Sequence, residues 1–370
     1  MNDAERHTGR CEAARRLRSR LAGMPRVALL TPFAFPSIRG NAVTVERIAR
    51  GLRERGVTLR MWDLSALDDA AVAREVEAYQ PSLIHAFHAF RVGPLALRLA
   101  RRAEIPLVVT LTGTDANHDL FDPERAPMVR RVLEGAAAIT AFHESIVSRV
   151  ATSLPDVGAR LVVVPQAVRF DAAEPFDLSA HWALPAARVL FLFPAGIRMV
   201  KRPLLPLPVF DRVVAARPDI RLLYAGPVLD EAEGRSLARE LSGRPWARHL
   251  GAVPHAQMPS LLSQSDVVMN CSLSEGGMAN SILEAFTQAR AVLASDIAGN
   301  RALVQDDVTG LIFSDDRSLE TAALRLATDG ALRARLGAAG RALVERRYPP
   351  SREVDGYAEV YGTLTRVRTT

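Results

Sequence analysis

Short apolar runs alternate with longer amphipathic stretches along this chain, and the alternation runs through twice. From Arg26 onward, Val27–Thr31 is a strand-length apolar run, and Asn41–Arg55 then places Val45, Ile48, Ala49 and Leu52 at helical spacing. Val57–Met61, Leu83–His85, Leu107–Leu111, Ala137–Thr140 and Leu161–Val164 repeat the strand signal, with helical segments between them. Strands this uniformly apolar must be buried on both faces, which predicts a parallel sheet covered by helices. Prolines at 165, 175 and 185 interrupt the rhythm. A second series follows: Val189–Phe193, Ile220–Tyr224, His249–Leu250, Val267–Asn270, Ala291–Ala294 and Leu311–Phe313. After Tyr348-Pro349-Pro350 a last helical segment, Ser351–Val367, ends the chain. The expected division is an Arg-rich tail over 1–24, one doubly wound domain over 25–170, a second over 171–350 and a C-terminal helix over 351–370. Two such domains predict a cleft between the carboxyl ends of two sheets, where ligands of open α/β sheets bind.

Bulk properties narrow the class. A chain of 370 residues exceeds one ordinary core, and 48% hydrophobic with 24% charged residues is globular. The longest apolar runs fall well short of a membrane span, and the first 23 residues hold no apolar core of a secretory signal. Cys11 and Cys271 are the whole cysteine content, with no Cys-x-x-Cys or Cys/His ligand spacing. A reducing cytoplasm and no structural zinc are the expectation. The net charge of +6 fits an anionic partner: nucleotide phosphates, a peripheral membrane contact or nucleic acid. The Arg usage of a GC-rich genome accounts for it equally well. No basic run is interleaved with aromatics, so nucleic acid is not expected.

Four loops carry the chemistry. In "TPFAFPSIRGNAVT", Gly40-Asn41 falls just before a helix, a place that suits an anion or simply a glycine turn with an asparagine cap. "LVVTLTGTDANHD" ends a strand with Thr112, Gly113, Thr114 and Asp115, which can bind sugar hydroxyls, shape the cleft, or be an ordinary polar βα loop. His85 and His88 lie near another strand end without metal-ligand partners at suitable spacing, and a structural role is the expectation. "PAGIRMVKRP" sets Arg198 and Lys201 on one loop, where a guanidinium and an ammonium suit a diphosphate, or are two solvated bases.

The fourth loop is "SEGGMANSILEAF". Gly276 and Gly277 let the backbone approach a ligand, and Met278 continues into a helix whose N–H groups turn toward it. Carboxylates bind vicinal diols, so Glu275 and Glu284 suit two diols on either side of a diphosphate, as in a nucleotide sugar. A glycine turn followed by an exposed helix glutamate is the plainer account. No Asp-x-Asp, Gly-x-Gly-x-x-Gly or Gly-x-x-x-x-Gly-Lys occurs, which argues against a metal–diphosphate handle, a dinucleotide dehydrogenase and a P-loop NTPase.

With "GIRMVK", "SEGGMANSILEAF" and "SDIAGNRALVQDDVTGLIF" in order, the chain resembles the GT-B glycosyltransferases of family 4 over about residues 26–345. "GNAVTVERI" and "TGTDAN" make it most similar to the glycosyltransferase 1 domain-containing proteins, with a weaker likeness to selenosugar synthases. Two departures stand out. Eight residues separate Glu275 from Glu284 where the family has seven, and Thr112 replaces a histidine that many members carry.

The resemblance implies a GT-B fold: two Rossmann-like domains, acceptor domain first and nucleotide-sugar donor domain second, with a C-terminal helix that can cross back to the first. It implies a retaining transfer from a UDP-sugar co-substrate to an unidentified acceptor, with no cofactor and no metal. Arg198, Lys201 and Glu275 are then the expected catalytic residues. Gly276, Gly277, Met278 and Glu284 bind the donor, and Gly40, Asn41, Thr112, Gly113 and Asp115 face the cleft from the acceptor side. The alternatives are a selenosugar or thiosugar synthase using selenophosphate and a non-catalytic nucleotide-sugar-binding protein.

Overall fold

The computed structural model describes residues 25–34, 40–170, 173–185 and 188–366. The Arg-rich tail over 1–24, with Cys11, lies outside the described residues. Among the described residues, twelve strands form two parallel sheets of six, in the orders β2-β1-β3-β4-β5-β6 and β12-β11-β10-β7-β8-β9.

The first sheet contains β1 (Arg26–Thr31), β2 (Thr58–Asp63), β3 (Leu83–Phe87), β4 (Leu107–Leu111), β5 (Ala138–Ala141) and β6 (Leu161–Val163). Its crossovers are α1 (Gly40–Glu54), α2 (Asp69–Tyr79), α3 (Gly93–Arg102), α4 (Ala126–Gly135) and α5 (Glu144–Ser153). A one-turn α6 (Leu178–His181) lies in the connection to the second sheet. That sheet holds β7 (Val189–Pro194), β8 (Ile220–Ala225), β9 (Ala247–His249), β10 (Val267–Asn270), β11 (Ala291–Ser295) and β12 (Leu311–Phe313). Helices α7 (Pro206–Ala216), α8 (Glu231–Leu241), α9 (Met258–Ser263), α10 (Asn280–Thr287), α11 (Ala298–Arg301), α12 (Asp316–Thr328), α13 (Gly330–Arg347) and α14 (Pro350–Arg366) follow among the described residues.

Period-two burial explains why both sheets sit between layers. In β1, Ala28 and Leu30 join one cluster with Trp62, Leu95 and Leu99, while Val27 and Leu29 face Val45, Ile48 and Leu52 of α1 on the other side. In β7, Phe191 and Phe193 pack toward Phe210, whereas Leu190 and Leu192 pack toward Ile282 and Phe286 of α10.

The strand orders reverse between β1 and β3 in the first sheet and between β7 and β10 in the second. Loops leaving two adjacent strands diverge at such points and open a crevice there.

The last helix returns to the first domain, as the resemblance implied. Glu353 on α14 makes a buried, bidentate ion pair with Arg47 on α1, both contacts at 2.8 Å. Tyr361 Oη lies 2.6 Å from His85 Nδ1, and Val354 fills the space that a side chain at Gly51 would need. No helix among the described residues is long and apolar enough to cross a membrane.

Candidate active site

A cleft of about 450 Å³ opens between the carboxyl ends of the two sheets. On the second-domain side, β7 ends at Pro194, and Ala195-Gly196 lead into a short turn over Met199–Lys201. Arg198 precedes that turn in extended conformation, exposed at the cleft. Across the switch point, β10 delivers the Glu275 loop. Lys201 Nζ lies 2.5 Å from Glu275 Oε1, which also accepts from Ser272 Oγ at 2.7 Å and Asn270 Nδ2 at 3.0 Å. Burial alone would raise the Glu275 carboxyl, but Lys201 and these donors outweigh it and hold it below the ordinary range. Gly299 backs the pair so closely that a Cβ there would stand 2.6 Å from Glu275 Cβ. Cys271, one residue past β10, is buried, and burial pushes its thiol up to about 12, so it offers no nucleophile.

Beyond Glu275 the chain turns at Gly276 and Gly277, the latter with φ +113°. Met278 is buried, and α10 starts after Ala279 without a side-chain cap. An uncapped helix start leaves backbone donors and the positive end of the dipole toward the cleft. One helical turn deeper, Glu284 Oε1 lies 3.3 Å from His255 Nε2, and the His255 ring stacks on Phe170 at 5.1 Å.

The first domain meets this surface through the loops after β1, β4 and β5. A Cβ at Gly276 would lie 2.4 Å from the Thr112 carbonyl oxygen, and one at Gly113, where φ is +124°, would lie 2.7 Å from Gly276 Cα. Two facing glycines therefore set how closely the domains approach. Asn117 Nδ2 donates to the Glu275 carbonyl oxygen at 2.8 Å, and His118 Nε2 lies 3.1 Å from Ser274 Oγ. Both residues belong to a π-helical turn, Asp115–Asp119, a form often found at functional sites. Asn280 of α10 donates to Thr44 Oγ1 at 3.1 Å and accepts from Gln166 Nε2 at 2.9 Å.

Residues 188–329 match the family model for glycosyl transferases group 1, and residues 12–167 match the glycosyl transferase 4-like domain. The chain is built of two glycosyltransferase domains, a 4-like one followed by a group 1 one. This glycosyltransferase is 27% identical over 326 residues to glycosyltransferase 1 domain-containing protein 1 of Xenopus tropicalis, covering 86% of this chain and 92% of that one. It is 30% identical over 238 residues to the phosphatidyl-myo-inositol mannosyltransferase of Mycobacterium tuberculosis (strain ATCC 25618 / H37Rv), covering 60% of this chain and 61% of the other. Among solved structures, Anabaena HepE in complex with UDP and glucose superimposes with a TM-score of 0.76 at 15% identity, over 92% of this chain and 100% of that one. Sucrose-phosphate synthase from Thermosynechococcus elongatus does so at 0.77 and 17% identity, over 92% and 99%. The shared fold is GT-B.

Within this glycosyltransferase, Gly40, Asn41, Thr112, Gly113, Arg198, Lys201, Glu275, Gly276, Met278 and Glu284 all line the cleft. Three expectations are corrected. Asp115 does not face the cleft: it is fully buried, and its carboxylate accepts from the amides of Ala89 (2.9 Å), Thr112 (3.0 Å), Gly113 (2.9 Å) and Ala116 (3.1 Å). A carboxylate held by four N–H groups shapes the loop and has little capacity left for a ligand. Asn41 does not cap α1, because the helix already begins at Gly40. Gly277 turns toward His143 of the first domain instead of lining the cleft. Asn117, His118, Gln166, His255 and Asn280 also line the cleft, and no sequence pattern singles them out. The first two lay inside the quoted "TGTDANHD", but nothing local to them signals a partner more than 150 residues away.

Proposed function

We propose that the enzyme transfers a sugar from a UDP-sugar to an acceptor bound on the first domain, with retention of configuration and without a divalent cation. The observation that carries this is the Lys201–Glu275 pair, set at the β7/β10 switch point beside the Gly276-Gly277 turn. An ammonium and backbone donors converge there on the space a diphosphate would take, and Arg198 adds a guanidinium from the same loop. Structures of the same fold hold UDP, with glucose or as UDP-glucose, which supports UDP as the nucleotide.

In the proposed reaction the bond between the anomeric carbon and the diphosphate oxygen lengthens first. Charge grows on the leaving oxygen, and Lys201, Arg198 and the turn amides stabilise it. The acceptor attacks from the same face and gives its proton to the departing phosphate, so no protein base is needed. Glu275 keeps one oxygen toward its three donors and orients the sugar hydroxyls with the other, while Glu284, steadied by His255, takes the ribose diol. The chain's lack of Asp-x-Asp supports a mechanism without metal.

A thermal-shift screen of UDP-, GDP- and ADP-sugars tests the donor. A UDP-sugar at about a hundred times its Kd should stabilise the protein by about 2.7 kcal/mol, with the others inert. Proton NMR of the product should show the donor's anomeric configuration, with turnover intact in EDTA. Selective stabilisation by GDP- or ADP-sugars, an inverted product, or an EDTA loss restored by Mg²⁺ would each overturn the corresponding part.

A further inference from the structure

The first sheet has its own crevice, between β1 and β3, and the donor does not account for what lines it. The loop after β1 brings Phe33 there and the loop after β3 brings Arg91, whose guanidinium carbon lies 5.7 Å from the centre of the Phe33 ring. Arg91 is exposed to the cleft and, among the described residues, has no ion-pair partner. The other side of the cleft is arranged differently. Glu275 and Glu284 are the carboxylates lining the cleft among the described residues, both come from the second domain, and each has a basic side chain beside it, Lys201 and His255 respectively. On the first-domain wall the nearby Asp115 is turned into backbone amides, and Asp119 is buried and paired with Arg125. That wall therefore presents positive charge and no carboxylate.

The backbone leading to Arg91 is strained at His88 and held there by hydrogen bonds. His88 has φ +106°, an unfavourable value for a residue with a side chain, and its Nδ1 accepts the N–H groups of Phe90 and Arg91, both at 3.2 Å. Such a conformation persists where surrounding contacts over-determine it and is concentrated at ligand sites. The glycine turn of the donor side touches the first domain at the loops after β4 and β5, whereas Arg91 and Phe33 follow β3 and β1. Strands lie about 4.8 Å apart, so the loops that carry Arg91 and Phe33 leave the sheet one and two strands beyond the β4 loop that the glycine turn touches.

We infer that the acceptor carries an oxyanion, a phosphate or a carboxylate, which Arg91 binds while its guanidinium rests on Phe33. A guanidinium on an aromatic face keeps its planar fork pre-organised for bidentate recognition of such a group. This inference rests on the proposed UDP-sugar reading, because UDP must occupy the Lys201 side for the Arg91 side to be the acceptor's.

The test is calorimetric titration of the UDP-saturated enzyme with glycerol 3-phosphate, glycerate and neutral glycerol. The anionic probes should bind at least about tenfold tighter than glycerol, and Arg91→Met should abolish the difference while Arg91→Lys keeps part of it. UDP affinity should be the same in all three proteins. Sedimentation with phosphatidylglycerol against phosphatidylcholine vesicles at physiological salt separates sources: Arg91-dependent pelleting assigns the oxyanion to a lipid headgroup, and Arg91-dependent binding of the soluble probes alone assigns it to a small molecule. Anion binding that survives Arg91→Met, or a loss of UDP affinity in that variant, would overturn the inference and leave the donor reading standing. Failure of the wild type to bind UDP would overturn the donor reading first and this inference with it.

Discussion

Lys201 and Glu284 serve different parts of the proposed donor, so truncating them has different consequences. Lys201 meets charge that grows only as the sugar–phosphate bond breaks. Lys201→Ala should lower kcat about 10²–10³-fold. It also strips Glu275 of its counter-charge, so a fall in thermal stability should accompany the kinetic loss. The ribose does not change in the reaction, so Glu284 contributes uniform binding, and Glu284→Ala should mainly raise the donor KM. Steady-state kinetics on both variants decide this. An unaffected kcat in Lys201→Ala would remove Lys201 from the leaving group. A large kcat loss in Glu284→Ala with unchanged donor binding would exchange the roles of the two glutamates. The lowered carboxyl of Glu275 fixes the pH sense: the Lys201–Glu275 pair contributes above the ordinary carboxyl range and is lost as pH falls through the lowered value.

Helix α14 is anchored to the first sheet by polar groups inside an apolar cluster, and one of them makes the docking sensitive to acid. His85 lies in β3 with Nδ1 2.6 Å from Tyr361 Oη and Nε2 2.7 Å from Thr110 Oγ1. Burial depresses its pKa from 6.5 to about 3. Between those values the unfolded chain binds a proton that the folded protein refuses, so stability falls as pH drops from 6.5 toward 3. His85→Gln cannot titrate and should flatten that part of the profile, at a cost in stability at neutral pH. The check is Tm against pH for both proteins. Parallel curves would mean that acid acts elsewhere. The nearby Arg47–Glu353 pair is less screened by salt than the surface pairs, because both partners are buried.

At the scale of the whole molecule, the two domains meet where neither can spare an atom. Gly276 and Gly113 bring two backbones into contact, with Asn117, His118 and Asn280 bonded across the same seam. Each domain has its own cores on both faces of its sheet. Gly276→Ala should therefore leave unfolding nearly unchanged while holding the cleft ajar. Its Cβ would meet a carbonyl oxygen at 2.4 Å, and backbone cannot swing aside as a side chain can. Transfer should fall at least about tenfold, because a cleft that admits water weakens every charge contact in it. Small-angle scattering with UDP present should show a larger radius for the variant. Wild-type activity in Gly276→Ala would show that this contact does not govern closure.

The elements were legible in the sequence because their causes are local. A strand buried on both faces is a short apolar run, and a crossover helix repeats its apolar residues every three or four positions, so the described strands and the last helix could be read from patterns within about fifteen residues, β9 only at His249. Arg198, Lys201 and Glu275 were legible for a related reason: each lies on a loop leaving the carboxyl end of a strand, and that end of an open parallel sheet faces the cleft, while Glu284 follows on the helix that the Glu275 loop opens. Which partner each side chain chose was decided only by tertiary structure. Asp115 was drawn into four amides, Glu284 found His255 across 29 residues, and Asn280 reached Thr44 across 236. Phe33 and Arg91 became neighbours because β1 and β3 pair out of sequence order. A hydrogen bond or an ion pair depends on a few tenths of an ångström between atoms, and residues distant in sequence reach that separation only once both sheets have formed and the domains have met.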